Sequence, residues 1–380
     1  MRAFLENFDH FNVNRQNLVS KDRVISVDAL RGFDMIWIIG GKKVFKGLDE
    51  ACNTPFTNWI FSQLDHAEWY GFTFYDIIMP LFLYLVGISM VYSTRRRLSA
   101  DPSRVSLWKH ITFRVVLLWL LGMAVQGKLL TYDLEQIKFY SNTLQAIAAG
   151  YLIASIIILY LPVVYQIVTT LGLMLVYWLV FAFVPVPGVG AGLYTPDGNI
   201  AIFIDKAVLG TFQDGTTYTW ILSSLNFGAT TMLGVFTGYL LQSQKKPLDK
   251  FYSLTAAGVI LILLSYIWMP FHPMVKHLWT GSFVLFSGGI CLLMLAGLYF
   301  VIDVLEYRKW TKFFVVIGSN AIAAYVSASI FDYRLIAKVF VGGLDKYVGA
   351  WYPFVLALGG FTVLYLILHY LHKNKIYVKI

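Results

Sequence analysis

The sequence predicts an all-α fold, a polytopic transmembrane helical bundle of about ten spans with both termini cytoplasmic, and three observations predict it. Of the 380 residues, 58% are hydrophobic and only 13% charged, with a mean hydropathy of +0.65. A soluble chain carries about 25% charged residues. Apolar runs recur at residues 81–92, 115–125, 144–161, 163–184, 253–269, 282–302, 313–330 and 354–369. About 20 apolar residues cross the hydrocarbon core, and flanking aromatic and small residues extend the shorter runs. Lysine and arginine, finally, are shared unevenly between alternate loops.

The opening segment, residues 1–23, is polar and holds Arg2, Arg15, Lys21 and Arg23, with no apolar stretch of signal-peptide type. It is expected to be a cytoplasmic N-terminal segment. Residues 24–371 then form the membrane domain and 372–380 a cytoplasmic tail. The first span, residues 24–48, scores poorly by hydropathy because it contains Asp28, Arg31, Asp34, Gly40, Gly41 and Lys42. The charge distribution argues for keeping it. With it, one side of the membrane holds 4 basic residues before residue 24, 5 in 95–109, 3 in 245–250, 3 in 308–312 and 3 after residue 372. Those 18 face 10 on the other side, and the richer side is cytoplasmic. The segment around His66 and the Gly- and Pro-rich loop 185–221 are thereby placed on the non-cytoplasmic side, where the loop is long enough to cap a cavity.

The net charge of +9 is read as loop orientation, since no basic stripe suits nucleic acid. Cys52 and Cys291 give neither a disulfide framework nor a metal-ligand spacing, so no metal is expected. No internal repeat at a fixed period is visible, which weighs mildly against a repeat-built transporter.

Polar residues inside the spans carry the chemistry. Asp28 and Arg31, three apart, share a helical face and suit an ion pair, either closing the cytoplasmic end or facing a wet cavity. Arg114 can snorkel to lipid phosphate or hold the phosphates of a cytoplasmic ligand. In Gln63-Leu-Asp-His-Ala-Glu-Trp-Tyr, His66 stands between Asp65 and Glu68, beside Trp69, at the non-cytoplasmic interface. A histidine there moves a proton near neutral pH or is an ordinary interfacial side chain. Asp76, about one turn into the next helix, needs a donor. Asn142, Gln145, Asn226 and Asn320 serve as helix–helix contacts or ligand contacts.

Arg23-Val-Ile-Ser-Val-Asp-Ala-Leu-Arg-Gly-Phe-Asp-Met and His66-Ala-Glu-Trp-Tyr-Gly-Phe-Thr-Phe-Tyr-Asp-Ile-Ile-Met-Pro resemble motifs of the heparan-α-glucosaminide N-acetyltransferase family of transmembrane acyltransferases. So do Asn142-Thr-Leu-Gln-Ala-Ile, Lys276-His-Leu-Trp-Thr-Gly-Ser-Phe and Gly318-Ser-Asn-Ala-Ile-Ala-Ala-Tyr-Val. The likeness runs from Arg23 to about Tyr370, and the His-Ala-x-Trp block is its specific part. It implies an enzyme that moves an acetyl group from cytoplasmic acetyl-CoA to the amino group of glucosamine, or a related amino sugar, on the other side. In that family the histidine of the block is catalytic, which falls on His66, here as general base with Asp76. Arg31, Arg114, Gln145 and Lys276 are assigned to acetyl-CoA, and Asp65, Glu68 and Trp69 to the acceptor.

The chain departs from the pattern at Trp37-Ile-Ile-Gly-Gly, where the lysosomal member has an Asn, and at Val275, often Asn in the family. The large luminal domain of that member is not expected. A free amino sugar is thus the expected substrate class, and a bacterial inner membrane, with a lipid bilayer around the chain and room for a homodimer, the expected setting. Two other readings compete: an amino-sugar transporter or permease, and an O-acyltransferase acting on envelope glycans.

Overall fold

The computed structural model describes residues 24–378. The N-terminal segment 1–23 and residues 379–380 of the tail lie outside them. Helix dominates, and among the described residues the only extended pairings are isolated bridges such as Tyr70 with Val275.

The first helical stretch is α1 (Ile25–Ile36), a π-turn at Trp37–Gly41 and α2 (Lys42–Cys52). After α3 (Pro55–Gln63), the His66 segment leads through a 3-10 turn (Phe74–Ile77) into α4 (Ile78–Ala100). Then come α5 (Arg104–Val125), α6 (Thr143–Tyr160), α7 (Val163–Phe183), α8 (Ile200–Leu209) and α9 (Ser224–Gln242). The chain ends with α10 (Pro247–Trp268), α11 (Gly281–Tyr299), α12 (Lys312–Gly318), α13 (Ala321–Ile330), α14 (Tyr333–Val341) and α15 (Tyr352–Lys373).

Among the described residues, seven helices are long and apolar enough to cross a membrane. The count is eight if the pair Lys309–Gly318 and Ala321–Ile330, bent by 60°, forms one span. The sequence leads to an expectation of ten spans, two more than this count; α1–α2 and α9 carry polar residues that keep them below that measure. In α1 these are Asp28, Arg31 and Asp34; in α9 they are Asn226, Thr230, Thr231 and Thr237, all four buried. Their hydroxyl and amide groups are spent locally: Thr230 and Thr231 donate to the carbonyls of Asn226 and Phe227, and Asn226 Nδ2 donates to Trp279 O at 2.7 Å. A helix of this kind tolerates apolar surroundings only with protein on most sides.

The span that includes α4 is the innermost of the apolar ones, 78% buried against 17% for α10. Its centre lies on α9, and the contact is glycine to glycine. A Cβ on Gly87 would sit 1.9 Å from Thr231 O, and one on Gly234 would sit 1.9 Å from Tyr84 O. Without side chains at the crossing, the two backbones touch directly. Tyr84 seals it with a hydroxyl donated to Thr237 Oγ1 at 2.9 Å. Because α4 begins at the His66 segment and passes beside Arg31, this crossing fixes both ends of the site.

Candidate active site

Asp76 is positioned by the start of its own helix. Thr73 caps the 3-10 turn, and its backbone N–H donates to Asp76 Oδ2 at 3.0 Å. The Thr-x-x-Asp spacing is a capping-box signature legible in the sequence. The same oxygen accepts from Ala67 N at 3.3 Å. The other, Oδ1, lies 2.8 Å from His66 Nδ1 and 3.1 Å from Lys276 Nζ. Asp76 is fully buried, so these donors replace the water it has lost.

Lys276 arrives from a loop 210 residues further along the chain, and its Nζ lies 2.8 Å from His66 Nδ1. The bridge between Tyr70 and Val275, with Gly71 N donating to Met274 O at 3.2 Å, pins that loop beside the His66 segment. Burial pulls the Lys276 ammonium down to about 8, although the Asp76 carboxylate beside it pushes the other way. A lysine in that state exchanges a proton in the range where an amine substrate does. Sequence reasoning groups Lys276 with the donor-binding residues; the structure places it in the His66 cluster instead.

His66 itself is partly open, its side chain 37% exposed. Its ring packs against Tyr75 with centroids 5.0 Å apart. Asp65 pairs with Lys42 at 2.6 Å, and Lys42 lies over the Tyr75 ring at 4.7 Å. Trp69 donates Nε1 to Tyr194 O at 2.6 Å and meets the edge of His277. Glu68 is exposed. The loop 185–221 covers this end: Tyr218 stacks on His277 at 4.0 Å, and Thr219 N donates to His277 O at 3.0 Å. Asp205 in α8 holds the loop's return by accepting from Trp220 N and Ile221 N, with burial raising its carboxyl to about 6.

Tyr194, Tyr218 and His272 carry no local pattern that would single them out in the sequence, and His277 has only its place in the motif after Lys276. His272 is fully buried, its Nδ1 2.7 Å from the Tyr194 hydroxyl, and burial holds its ring down to about 3. The unfolded chain takes up this proton near pH 6.5 and the folded one does not, so the neutral ring's contribution is complete above pH 6.5. It is lost as pH falls toward 3, at about 1.4 kcal/mol per pH unit. Thermal unfolding should therefore begin at a lower temperature at pH 5 than at pH 7, and His272→Gln should abolish most of that difference.

The second cluster lies further along α4. Arg31 Nη1 donates to Asp28 Oδ1 at 3.0 Å, and Nη2 donates to Ser89 Oγ at 2.6 Å. Arg114 stands over the Tyr151 ring at 4.4 Å. Both arginines, with Ser89, Ser319 and Val378, line one cavity of about 200 Å³. Ser89 lies thirteen positions after Asp76, which at 1.5 Å per residue is roughly 20 Å. Gln145 is elsewhere: its amide accepts from Ser141 N at 2.9 Å and donates to Phe139 O at 2.6 Å, so it shapes the entry to α6. Among the described residues, no group of three or more His, Cys, Asp or Glu side chains is placed to hold a metal ion.

No family model matches the chain. It is 26% identical over 377 residues to the heparan-alpha-glucosaminide N-acetyltransferase of Homo sapiens, covering 82% of this chain and 53% of that protein. The Mus musculus heparan-alpha-glucosaminide N-acetyltransferase is 24% identical over 376 residues, covering 82% of this chain and 54% of its own length. The chain thus spans about half the length of the curated relatives it matches. These matches, and the motifs running from Arg23 to about Tyr370, make the chain similar to the heparan-α-glucosaminide N-acetyltransferases over most of its length.

Proposed function

We propose that the protein is a membrane-embedded N-acetyltransferase that carries an acetyl group from acetyl-CoA to the amino group of glucosamine or a related amino sugar. The observation that carries the reading is the pairing of two unlike clusters on one rigid helix. A cavity with two arginines lies at one position of α4, and a histidine backed by a buried carboxylate lies roughly 20 Å away. The first suits phosphate and the second suits proton removal from an amine. The names of the relatives support the acetyl and glucosamine parts.

In this mechanism the nucleotide stays at the arginine cavity on the cytoplasmic side, because its phosphates cannot leave water cheaply. The thin pantetheine arm reaches toward His66, and the sugar enters from the opposite side, beneath the loop 185–221. His66 takes a proton from the sugar ammonium, and the neutral amine attacks the thioester carbonyl. The C–N bond forms, the C–S bond breaks, and the thiol of CoA leaves. Direct transfer needs no covalent acetyl-histidine, since an amine already attacks a thioester once positioned. In this reading the membrane is the inner (cytoplasmic) membrane of a bacterium.

Oriented vesicles given acetyl-CoA on one face and glucosamine on the other test the reading. N-acetylglucosamine should form only with donor on the Arg31 face. Arg31→Ala and Arg114→Ala should raise the donor KM about tenfold or more and leave the acceptor KM nearly unchanged. Turnover with acetyl-CoA only on the His66 face overturns the two-sided mechanism. Glucosamine passage without acetylation favours a permease, and an ester product an O-acyltransferase.

A further inference from the structure

The contacts around His66 set a donor-counting problem. Three atoms stand at mutual hydrogen-bond distance: His66 Nδ1 to Asp76 Oδ1 at 2.8 Å, His66 Nδ1 to Lys276 Nζ at 2.8 Å, and Lys276 Nζ to Asp76 Oδ1 at 3.1 Å. The carboxylate only accepts, so it takes a proton from either nitrogen. The two nitrogens cannot both present protons to each other. When Lys276 is an ammonium it donates to Nδ1, which must then be bare, and the imidazole proton sits on Nε2. When Lys276 is a neutral amine, Nδ1 carries the proton and donates it to Asp76 or to the amine lone pair, leaving Nε2 bare. Among the described residues Nε2 has no hydrogen-bond partner, so it is the nitrogen left for a substrate.

We propose that Lys276 is the proton store of the site, and that His66 relays a proton to it by exchanging tautomers. This deepens the acetyltransferase reading and rests on it for its role in turnover. The sugar ammonium gives a proton to Nε2, and the Nδ1 proton passes across 2.8 Å to the Lys276 amine. The imidazole stays neutral throughout. Lys276 becomes an ammonium beside Asp76, which compensates the new charge within the buried cluster. After the thiol leaves, that ammonium returns its proton to water through His66. A histidine–carboxylate pair alone would instead hold an imidazolium during transfer.

The charged and titratable groups facing the cluster come from four elements. Asp76 stands on the 3-10 turn with Tyr75. Lys42, on α2, repels the Lys276 charge but is itself paired with Asp65. His277 follows Lys276 in its loop and feels both His66 and Asp76, and Tyr218 of the covering loop stacks on it. Burial is the largest influence on Lys276 and draws it down to about 8, within reach of proton exchange.

Two variants separate a proton store from a fixed positive charge. Arginine keeps the charge and does not release its proton, so Lys276→Arg should pin His66 in the Nε2–H form and cut turnover about 10²-fold. Lys276→Met leaves Asp76 as the sole partner of Nδ1 and restores an ordinary histidine base. It should be the more active of the two near neutral pH, with the rise of turnover with pH displaced downward from the wild-type position near 8. A ¹⁵N spectrum of labelled His66 in the full protein reports the same device without any acetyl donor. The protonated nitrogen should change from Nε2 to Nδ1 as pH rises through about 8. Protonation of Nδ1 at every pH from 6 to 10, or Lys276→Arg as active as wild type, overturns the proposal. Tautomer exchange in a protein that transfers no acetyl keeps the proton device and rejects the transferase reading. Acetyl transfer without the exchange does the reverse.

Discussion

His66→Ala should give a folded protein that binds acetyl-CoA with near wild-type affinity and turns over about 10²-fold or more slowly. Removal of a positioned general base has this magnitude. Binding should survive because the arginine cavity sits roughly 20 Å along α4 and shares no side chain with the His66 cluster. Folding should survive because the side chain is 37% exposed, so little apolar area is lost. The Asp76–Lys276 pair also remains, at 3.1 Å, to satisfy both buried charges. Purified His66→Ala with wild-type turnover would remove His66 from the mechanism. Loss of acetyl-CoA binding in the same variant would mean that the two clusters are not independent.

Gly87→Val should prevent accumulation of folded protein, or lower its unfolding temperature more than any other single substitution considered. A Cβ at this position would lie 1.9 Å from Thr231 O, and the atom in the way is backbone, which cannot rotate aside. Overpacking a core costs about 1–3 kcal/mol where side chains can adjust. Here the helices themselves must separate, and the contacts that hold TM helices together depend on close approach. Gly172→Val in α7 is the matched control, since a Cβ there meets nothing within 4 Å. Its unfolding temperature should stay near wild type. If Gly87→Val unfolds at the wild-type temperature as well, α4 and α9 do not need direct backbone contact.

The fold class was legible because lipid imposes a simple rule on composition and run length. The Asp28–Arg31 spacing was legible because it is a local helical relation; the Thr73–Asp76 box is as local, but sequence reasoning takes from it only that Asp76 needs a donor. Lys276 was not, since its place beside His66 depends on a bridge between segments 210 residues apart. No periodicity encodes such a pairing, and its motif alone grouped it with the donor-binding residues and not with His66. Gln145 is the opposite case. A buried amide in a span reads as a ligand contact, yet this one serves the backbone of its own helix entry. Ser89 gave no signal, because a lone serine in an apolar helix has nothing to mark its guanidinium partner.

One consequence of the α4–α9 crossing concerns phase. Asp76 and Ser89 lie on a stretch with no break after the first turn, and Leu81, Leu83, Tyr84 and Leu85 between them are all essentially inaccessible. Such a stretch cannot bend or slip, so the two clusters keep a fixed separation and a fixed angular offset. Each residue of an α-helix contributes 1.5 Å and about 100°. Adding a single residue between Asp76 and Ser89 would lengthen the separation only slightly, but it would turn Ser89 well away from Arg31. The helix therefore works as a ruler whose graduation is angular as much as linear, and a tethered donor can reach only as far as its marks allow.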